Sequence, residues 1–555
     1  IANNSTTTNN SSGVGVYIES GTTITIESCD ITNNASSCGG AIYSLYAKSA
    51  TLSNCNITGN TVSRTTSQYA YGGGIYFYGG TNKLFGTMKI TDNTSQALSG
   101  SSNSNLSFAR DSKVILSEDG NELSTNSKFG VGTYISPTAD TPVTFATGAT
   151  EAMKACFTPD NSDCYVDYKD GELRLCLGYS DLYYKGGTFY SNSACTSSTS
   201  MTKFSDAVSS IAPKGTIHML SQYASSTNET VNVPADSNIT VVRDESFTDA
   251  SMFSITGGTF TVNATDTSSS ITFDGKQIKT TVERGGAFYV YDGSIKLNGV
   301  EKTVNGQTEK TIVIKQNTIS TTTSSNTAYG GGVYTYNGTN TLTNCSITDN
   351  TASSSSSYGA SGGGVYIGNG TNTLENCSIT GNTASSSGNA YGGGVYTVYG
   401  TNTLTNCSIK DNTASSSDSS ASGGGVCIGY GTSTLESCSI TSNTASASAA
   451  YGGGVYITGS GTKTLLGTMN VTDNTAADGS NMYFYSNKTV ALSDGNGKTL
   501  STDSNVGVTT YKTPTSSTSV QFATGATSAM ASCFTPDNSS YKVTYSNSEL
   551  SLAVK

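Results

Sequence analysis

One sentence of sequence is written again and again in this chain, and that repetition limits what it can fold into. GGGVYIGNGTNTLENCSITGNTASSS begins at Gly362, and GGGVYTVYGTNTLTNCSIKDNTASSS begins at Gly392. The aliphatic residue after the glycines stands at Val333, Val365, Val395, Val426 and Val455, in steps of 32, 30, 31 and 29 residues, with equivalents at Val16, Ile42, Ile75 and Phe288. Asparagine keeps the same step at Asn317, Asn350, Asn382, Asn412, Asn443 and Asn474, and earlier at Asn34, Asn60 and Asn93. Cysteine keeps it at Cys345, Cys377, Cys407 and Cys438, and earlier at Cys29 and Cys55. Each copy reads as three short strands, GGVYT, NTLTN and CSIT, separated by turn residues and closed by a Ser/Thr/Gly loop pointing outward. Strands this short are not stable alone, and no helical period joins them. The economical solution is an all-β solenoid in which each copy is one coil and each strand pairs with its counterpart one rung away, at a spacing of about 4.8 Å.

A longer repeat contains the short one. VTFATGATEAMKACFTPDNS at Val143 returns as VQFATGATSAMASCFTPDNS at Val520, so Cys156 and Cys533 lie 377 residues apart. Residues 1–178 therefore read as the C-terminal part of a first unit and 179–555 as a complete second one. Within the second, 179–225 is the expected joint and cap, 226–490 the coils, and 491–555 the terminal coils and a hairpin. The stretch DLYYKGGTFYSNSAC is expected to pack on the coils preceding it. KFSDAVSSIAPKGTIHML sets Phe204, Val208 and Ile211 on one face of a short helix, with Ser205 or Asp206 as its cap and Pro213-Lys214-Gly215 as its stop. Such a helix would cover the open end of a solenoid.

Composition excludes several classes. The net charge is −11 and only five arginines occur, so no basic patch offers itself to nucleic acid. No apolar run reaches the length of a transmembrane helix. No signal peptide opens the chain, and the reading is of a mature piece of something longer.

The copies GGAIYS at Gly39, GGAFYV at Gly285 and GGGVY elsewhere resemble GGAI-type repeats. ITDN at Ile347 and ITGN at Ile379 resemble the paired FxxN-type motif, with Ile in place of Phe. Together they resemble the repeat region of polymorphic outer-membrane proteins and related surface adhesins. The helix-then-strand opening at 203–220 resembles the start of pectin-lyase-like β-helices. The resemblance implies a right-handed parallel β-helix exposed on a cell surface.

Within a GGVYT strand the uniformly aliphatic position belongs inside, so the tyrosine beside it points out. Tyr17, Tyr43 and Tyr76 then form one outer stack, and Tyr289, Tyr334, Tyr366, Tyr396 and Tyr456 another, interrupted at Cys427. The stacks read as cross-rung pairs, each worth roughly 0.2–1 kcal/mol, or as a contact surface for glycan or a neighbouring subunit. The Asn columns read as structural amide ladders at a corner. Asp92, Asp349, Asp411 and Asp473 precede four of these asparagines, but calcium needs several converging oxygens, and Gly381 and Ser442 hold the same place elsewhere. The TNT triplets at Thr339, Thr371 and Thr401 resemble the Thr-x-Thr arrays of ice-binding solenoids, and Glu375 and Glu436 break that face.

The Cys ladder of Cys29, Cys55, Cys345, Cys377, Cys407 and Cys438 reads as small apolar filling. Cys164 and Cys176 are both absent from the second copy. CYVDYKDGELRLC reads as a hairpin with a three-residue loop Lys169-Asp170-Gly171, which would set Cys164 opposite Cys176 as a disulfide in an oxidising setting.

These residues predict no catalytic, cofactor or metal site. His218, the only histidine, reads as structural, and carboxylates do not cluster with Lys or Arg as glycoside chemistry requires. The expected function is a non-enzymatic element of an extracellular fibre, stalk or surface array, whose partners are further copies or tandem units of itself. The alternatives are an adhesin that binds glycan or other cells through the loops at 61–70 and 353–361 or the Tyr ladder, and a polysaccharide-active β-helix enzyme.

Overall fold

The computed structural model describes residues 1–5, 15–37, 40–63, 70, 72–97, 100–101, 105–137, 141–161, 164–321, 327–355 and 357–555. Contacts divide them into two compact units, Ile1–Ser180 and Asp181–Lys555. The boundary falls two residues after the one the long repeat suggests.

The second unit is a stack of β coils paired in parallel and in register. Val333 pairs with Val365, Val365 with Val395, Val395 with Val426 and Val426 with Val455. Leu342, Leu374, Leu404, Leu435 and Leu465 form a second column, and Ile347, Ile379, Ile409 and Ile440 a third. All of these side chains are buried. The core is thus a bundle of identical columns, and each added coil buries one more member of each, which is what stabilises strands of three to five residues. Glycine opens each coil because the backbone leaves no alternative. The first of the three is left-handed (Gly392 at φ 60°), and a Cβ on the second, Gly393, would stand 2.4 Å from the carbonyl oxygen of Gly424.

The coil has more strands than its sequence suggests. Beyond the three expected, Thr383–Ser386 pairs with Thr351–Ser354 and Thr413–Ser416, and Ala390–Tyr391 pairs with Ala360–Ser361. The stretch read as an outward Ser/Thr/Gly loop is therefore, in large part, a lobe folded back on the coil. Its own core is mostly alanine: Ala352, Ala360 and Ala384 cluster with Ile319 at the start of the column, and Ala390, Ala414, Ala421, Ala445 and Ala450 form a second cluster. In TASS the alternation of outer Thr and inner Ala is a period-2 pattern that serine-rich composition hides.

Buried asparagines run beside these columns. Asn350 directs both its backbone N–H and its Nδ2 at Asn382 Oδ1, at 3.0 Å each. Asn382 does the same to Asn412 at 2.9 Å, and Asn412 to Asn443 at 3.0 and 2.9 Å. Each Nδ2 gives a second hydrogen bond to a carbonyl of the preceding coil, as Asn382 does to Ile347 O at 2.8 Å. The ladder runs Asn317, Asn350, Asn382, Asn412, Asn443, Asn474, then Asn481, and ends on Asp537, whose Oδ1 accepts from Asn481 Nδ2 at 2.8 Å. A carboxylate accepts without donating, so it closes a ladder in which every amide passes its hydrogens one way. At the other end the preceding coil has no asparagine between Asp274, which pairs with Lys315, and Lys279, which pairs with Thr318, and Asn317 Oδ1 is left buried without a hydrogen bond.

The unit opens with the helix Phe204–Ser210. Its cap differs from the one expected. Lys203 is the N-cap and offers no side-chain bond. Instead Tyr223 Oη accepts from Phe204 N at 3.0 Å, Glu229 Oε1 accepts from Ser205 N at 2.9 Å, and Tyr223 donates to Glu229 Oε2 at 2.6 Å. The orphan N–H groups of the first turn are thus satisfied from the coil beneath. The helix stops at Ser210, and the chain runs on as strand Ile211–Met219 through Pro213 and Gly215. Phe204 is buried against Phe253, Phe189 and Tyr223, closing that end of the core. The DLYYKGGTFYSNSAC stretch, expected on the preceding coils, belongs here: Tyr184 contacts Phe189 and Tyr223, and strands Tyr179–Lys185 and Thr188–Tyr190 join the sheet of Ile211–Met219.

The first unit repeats this plan. Among the described residues its ladder runs from Asn4 to Asn34, Asn60, Asn93 and Asn105 and ends on Asp160. Its last elements match those of the second: Val143–Thr147 pairs antiparallel with Glu172–Leu177, as Val520–Thr524 does with Glu549–Val554. Gly39 of the GGAIYS copy lies outside the described residues.

Replacing Asn382 by alanine strands the donors of Asn350 and the carbonyl of Ile347. At about 1–3 kcal/mol for each unsatisfied group, a loss of roughly 3 kcal/mol is expected in urea unfolding. Thr401→Ala, on the exposed face of a neighbouring strand, should stay within about 0.5 kcal/mol of the parent. Equal effects would show that the amide does not hold the coil.

Candidate functional site

The surface positions that could meet a ligand are the Tyr columns, the corners before the ladder asparagines, the cap around His218 and the terminal hairpins. The tyrosines stack from coil to coil. Tyr17 lies 5.6 Å from Tyr43, and Tyr43 lies 5.5 Å from Tyr76. Tyr289, Tyr334, Tyr366 and Tyr396 follow one another at 5.5, 5.1 and 5.6 Å, Cys427 interrupts, and Tyr456 continues to Tyr483 at 5.8 Å. In the second unit, however, the stack is not an open face. The lobe strands lay Tyr329 on Tyr366 at 4.7 Å and Tyr391 on Tyr396 at 5.6 Å. Arg284 sits over Tyr334, 5.5 Å from its centroid. Tyr334 is 4% exposed and Tyr456 7%. Tyr289, Tyr366 and Tyr396 stay half-buried, so the stack is a seam between coil and lobe, covered most fully at Tyr334 and Tyr456, which no reading of the lobe as a loop could reveal.

The open aromatic surface lies two or three residues further along the chain, at or just past the ends of the same strands. Tyr291 stacks on Tyr336 at 5.3 Å, Tyr399 on Tyr430 at 5.4 Å, and Tyr485 meets Tyr511 at 5.1 Å. Because neither position repeats tyrosine in every coil, the sequence pattern does not single it out. Beside this edge Asn369 donates to Asn337 Oδ1, and Asn337 donates to Asp292 Oδ1 at 2.6 Å.

In the TNT triplets both threonines lie on the outer face, which Glu375 and Glu436 share, and the middle asparagine turns inward. Thr339 is exposed, but Asn340, Asn372 and Asn402 are buried and form a second amide ladder at 2.9 and 3.0 Å. The column continues through Ser433 to Lys463. Lys463 is 3% exposed, and its Nζ donates to the carbonyls of Gly431, Ser460 and Gly461. Burial brings its pKa down to about 8. Leu342, two residues after Asn340, is inward, and that period-2 relation is the signal that could have found this ladder.

The corner position held by Asp92, Asp349, Asp411 and Asp473 is left-handed, with φ between 55° and 59°, and so are Gly381 and Ser442 at 67° and 57°. Asp and Gly recur there because they tolerate this conformation, and the geometry explains the pattern without a bound cation. His218 stacks on Tyr183 at 4.5 Å, with Nε2 3.0 Å from Asp181 Oδ1, inside the cap assembly.

The Cys ladder is internal in the second unit. Cys377, Cys407 and Cys438 each donate a thiol hydrogen to the leucine carbonyl of the preceding coil at 3.3 to 3.4 Å. Burial raises Cys345 well above the ordinary thiol range. Cys55 is buried likewise, whereas Cys29 is half-exposed. The pairing expected for Cys164 and Cys176 is corrected by the hairpin. Lys169 pairs with Glu172, so the turn is the two-residue Asp170-Gly171, both at positive φ. That register sets Cys176 opposite Tyr165 and Cys164 opposite Leu177. The two side chains leave opposite faces, and no disulfide joins them. Of the loops expected to carry contacts, residues 64–69 and 356 lie outside the described residues.

With the coils and their surfaces in view, comparison places the fold. The family model described as "Right handed beta helix region" matches residues 1–145 and 262–509. The chain belongs to this family. No curated protein matches it. Among solved structures, sacteLam55A from Streptomyces sp. SirexAA-E aligns with this β-helix over 97% of this chain and 91% of that one, at 9% identity and a TM-score of 0.18. Likeness that slight has no bearing on function.

Burial pushes Tyr334 up to about 12 and raises Tyr366, Tyr396 and Tyr456 as well. In the unfolded chain tyrosine ionises near 10. Above that pH the unfolded state holds fewer protons than the folded one, so this stability is complete below about pH 10 and declines as pH rises toward the folded value. The urea midpoint should therefore fall steeply from about pH 10, and part of the tyrosine absorbance titration should coincide with unfolding. A single titration midpoint near 10 for all 33 tyrosines, with no loss of stability, would contradict a covered stack.

Proposed function

We propose that this β-helix is a non-enzymatic structural element of an extracellular fibre, stalk or cell-surface array made of repeating units. One observation carries the reading. Both units terminate their ladders in the same device, Asn105 to Asp160 and Asn481 to Asp537, and follow it with the same antiparallel hairpin. A building module used more than once accounts for that duplication. The interior supports the reading further. Its polar side chains are held in amide ladders that give rigidity along the coil axis rather than a convergent reactive group. The GGAI- and FxxN-like copies agree with kinship to polymorphic outer-membrane-type surface proteins and with a place at the cell surface. The partners are then further units of the same kind.

A second reading rests on the exposed tyrosine edge of Tyr399 and Tyr430. Aromatic rings with neighbouring amides such as Asn337 and Asn369 suit the faces and hydroxyls of a glycan, as an adhesin would need.

Electron microscopy of native material tests the first reading. Filaments are expected whose axial repeat matches one block of ten or more rungs, roughly 50–80 Å at the strand spacing. Isolated particles, or hydrolysis of a polysaccharide panel by the purified chain, would overturn it.

A further inference from the structure

We propose that the exposed tyrosine pairs of the second unit are sites of oxidative coupling, where dityrosine bonds staple adjacent coils. Tyr399 and Tyr430 are 50% and 48% exposed and stack at 5.4 Å with an interplanar angle of 20°. Each stands two residues beyond a paired position, since Thr397 pairs with Ile428, and each is followed by a left-handed glycine, Gly400 and Gly431. The turns are therefore equivalent, and the two Cα atoms are held one rung apart. Tyr291, 37% exposed, and Tyr336, half-buried, are directly paired in register and stack at 5.3 Å with an angle of 7°. Tyr485 and Tyr511, 42% and 54% exposed, meet at 5.1 Å. The same edge thus presents three cross-rung pairs, while Tyr334, Tyr456 and Tyr483 are covered beneath the lobe.

The chemistry suits this arrangement. A one-electron oxidant takes an electron from each phenol, and each loses its hydroxyl proton. The two phenoxyl radicals join ortho carbon to ortho carbon. The two ring hydrogens at the new bond move to the oxygens and restore both phenols. With a haem peroxidase as the oxidant, hydrogen peroxide accepts the two electrons and two protons and leaves as two waters. Coupling needs the rings to turn about χ2 from face-to-face to edge-to-edge, but the backbones keep their spacing. Stacking brings the second radical to the first before either reaches another molecule. The product ties together two coils otherwise joined there by single rungs of hydrogen bonds, and so suppresses local opening of the edge. The inference concerns this chain's own rings and stands whether or not the units assemble.

The test treats the dilute full chain with peroxidase and hydrogen peroxide, then maps peptides by mass spectrometry. Expected are cross-linked peptides lacking two hydrogens that join Tyr399 to Tyr430 and Tyr291 to Tyr336, with dityrosine fluorescence in the monomer fraction. Tyr545, 42% exposed and facing no ring among the described residues, should remain uncoupled. Tyr399→Phe keeps a stacked ring but removes the phenol. It should abolish the first cross-link and leave the second unchanged. Fluorescence confined to dimers, coupling of Tyr545 at the level of the pairs, or persistence of the same cross-linked peptide in Tyr399→Phe would overturn the proposal.

Discussion

The rest of the structure depends on the directional hydrogen bond between stacked asparagines. A corner of a β coil leaves backbone groups without partners, and burying them unpaired is costly. An amide side chain answers this because it donates and accepts at once. Asn382 receives two hydrogen bonds from Asn350 and returns two to Asn412. The arrangement works only if every coil has the same register, so the ladder fixes register as well as stability. It also imposes polarity. Hydrogens pass from Asn317 toward Asp537, and the last acceptor must be a group that need not donate.

From that constraint the other columns follow. Once the corner is aligned, the Val, Leu and Ile positions of successive coils stack, and each coil completes the apolar surface of its neighbour. The residue before each ladder asparagine from Asn317 to Asn474 turns left-handed, which explains why Asp349, Gly381 and Ser442 share a place that reads as chemistry in sequence. The lobe then closes over the tyrosine stack, with Ala384 and Ala390 allowing its strands to approach. What remains open is the edge beyond the stack, where Tyr399 and Tyr430 meet solvent.

Much of this was legible in the sequence. The Val, Asn and Cys columns share one step, and a shared step in short strands allows few folds. The solenoid comes from that reasoning, the duplicated unit from the 377-residue offset between Cys156 and Cys533, and the helix from the shared face of Phe204, Val208 and Ile211. What was missed lies where composition masks periodicity. Thr383–Ser386 looks like a serine-rich loop, yet its single alanine holds the inward place. Asn340 sits in a triplet that draws attention to its threonines. Asp537 ends the ladder from a position 56 residues beyond Asn481, a contact that no local pattern encodes. The hairpin register turned on whether Lys169 belongs to the turn, and that moves Cys164 and Cys176 to opposite faces. The functional class is less legible than the fold, because ladders explain why residues recur without saying what the outer surface meets.

The side-chain amide protons of the ladder measure the central claim most directly. In two-dimensional nitrogen–proton spectra of the chain transferred to heavy water, the Nδ2 groups of Asn350, Asn382, Asn412 and Asn443 should exchange as slowly as the backbone amides of the core strands. Exchange as fast as that of Asn496, which is exposed, would contradict the account, since the asparagines would then not be hydrogen-bonded to one another through the length of the coil.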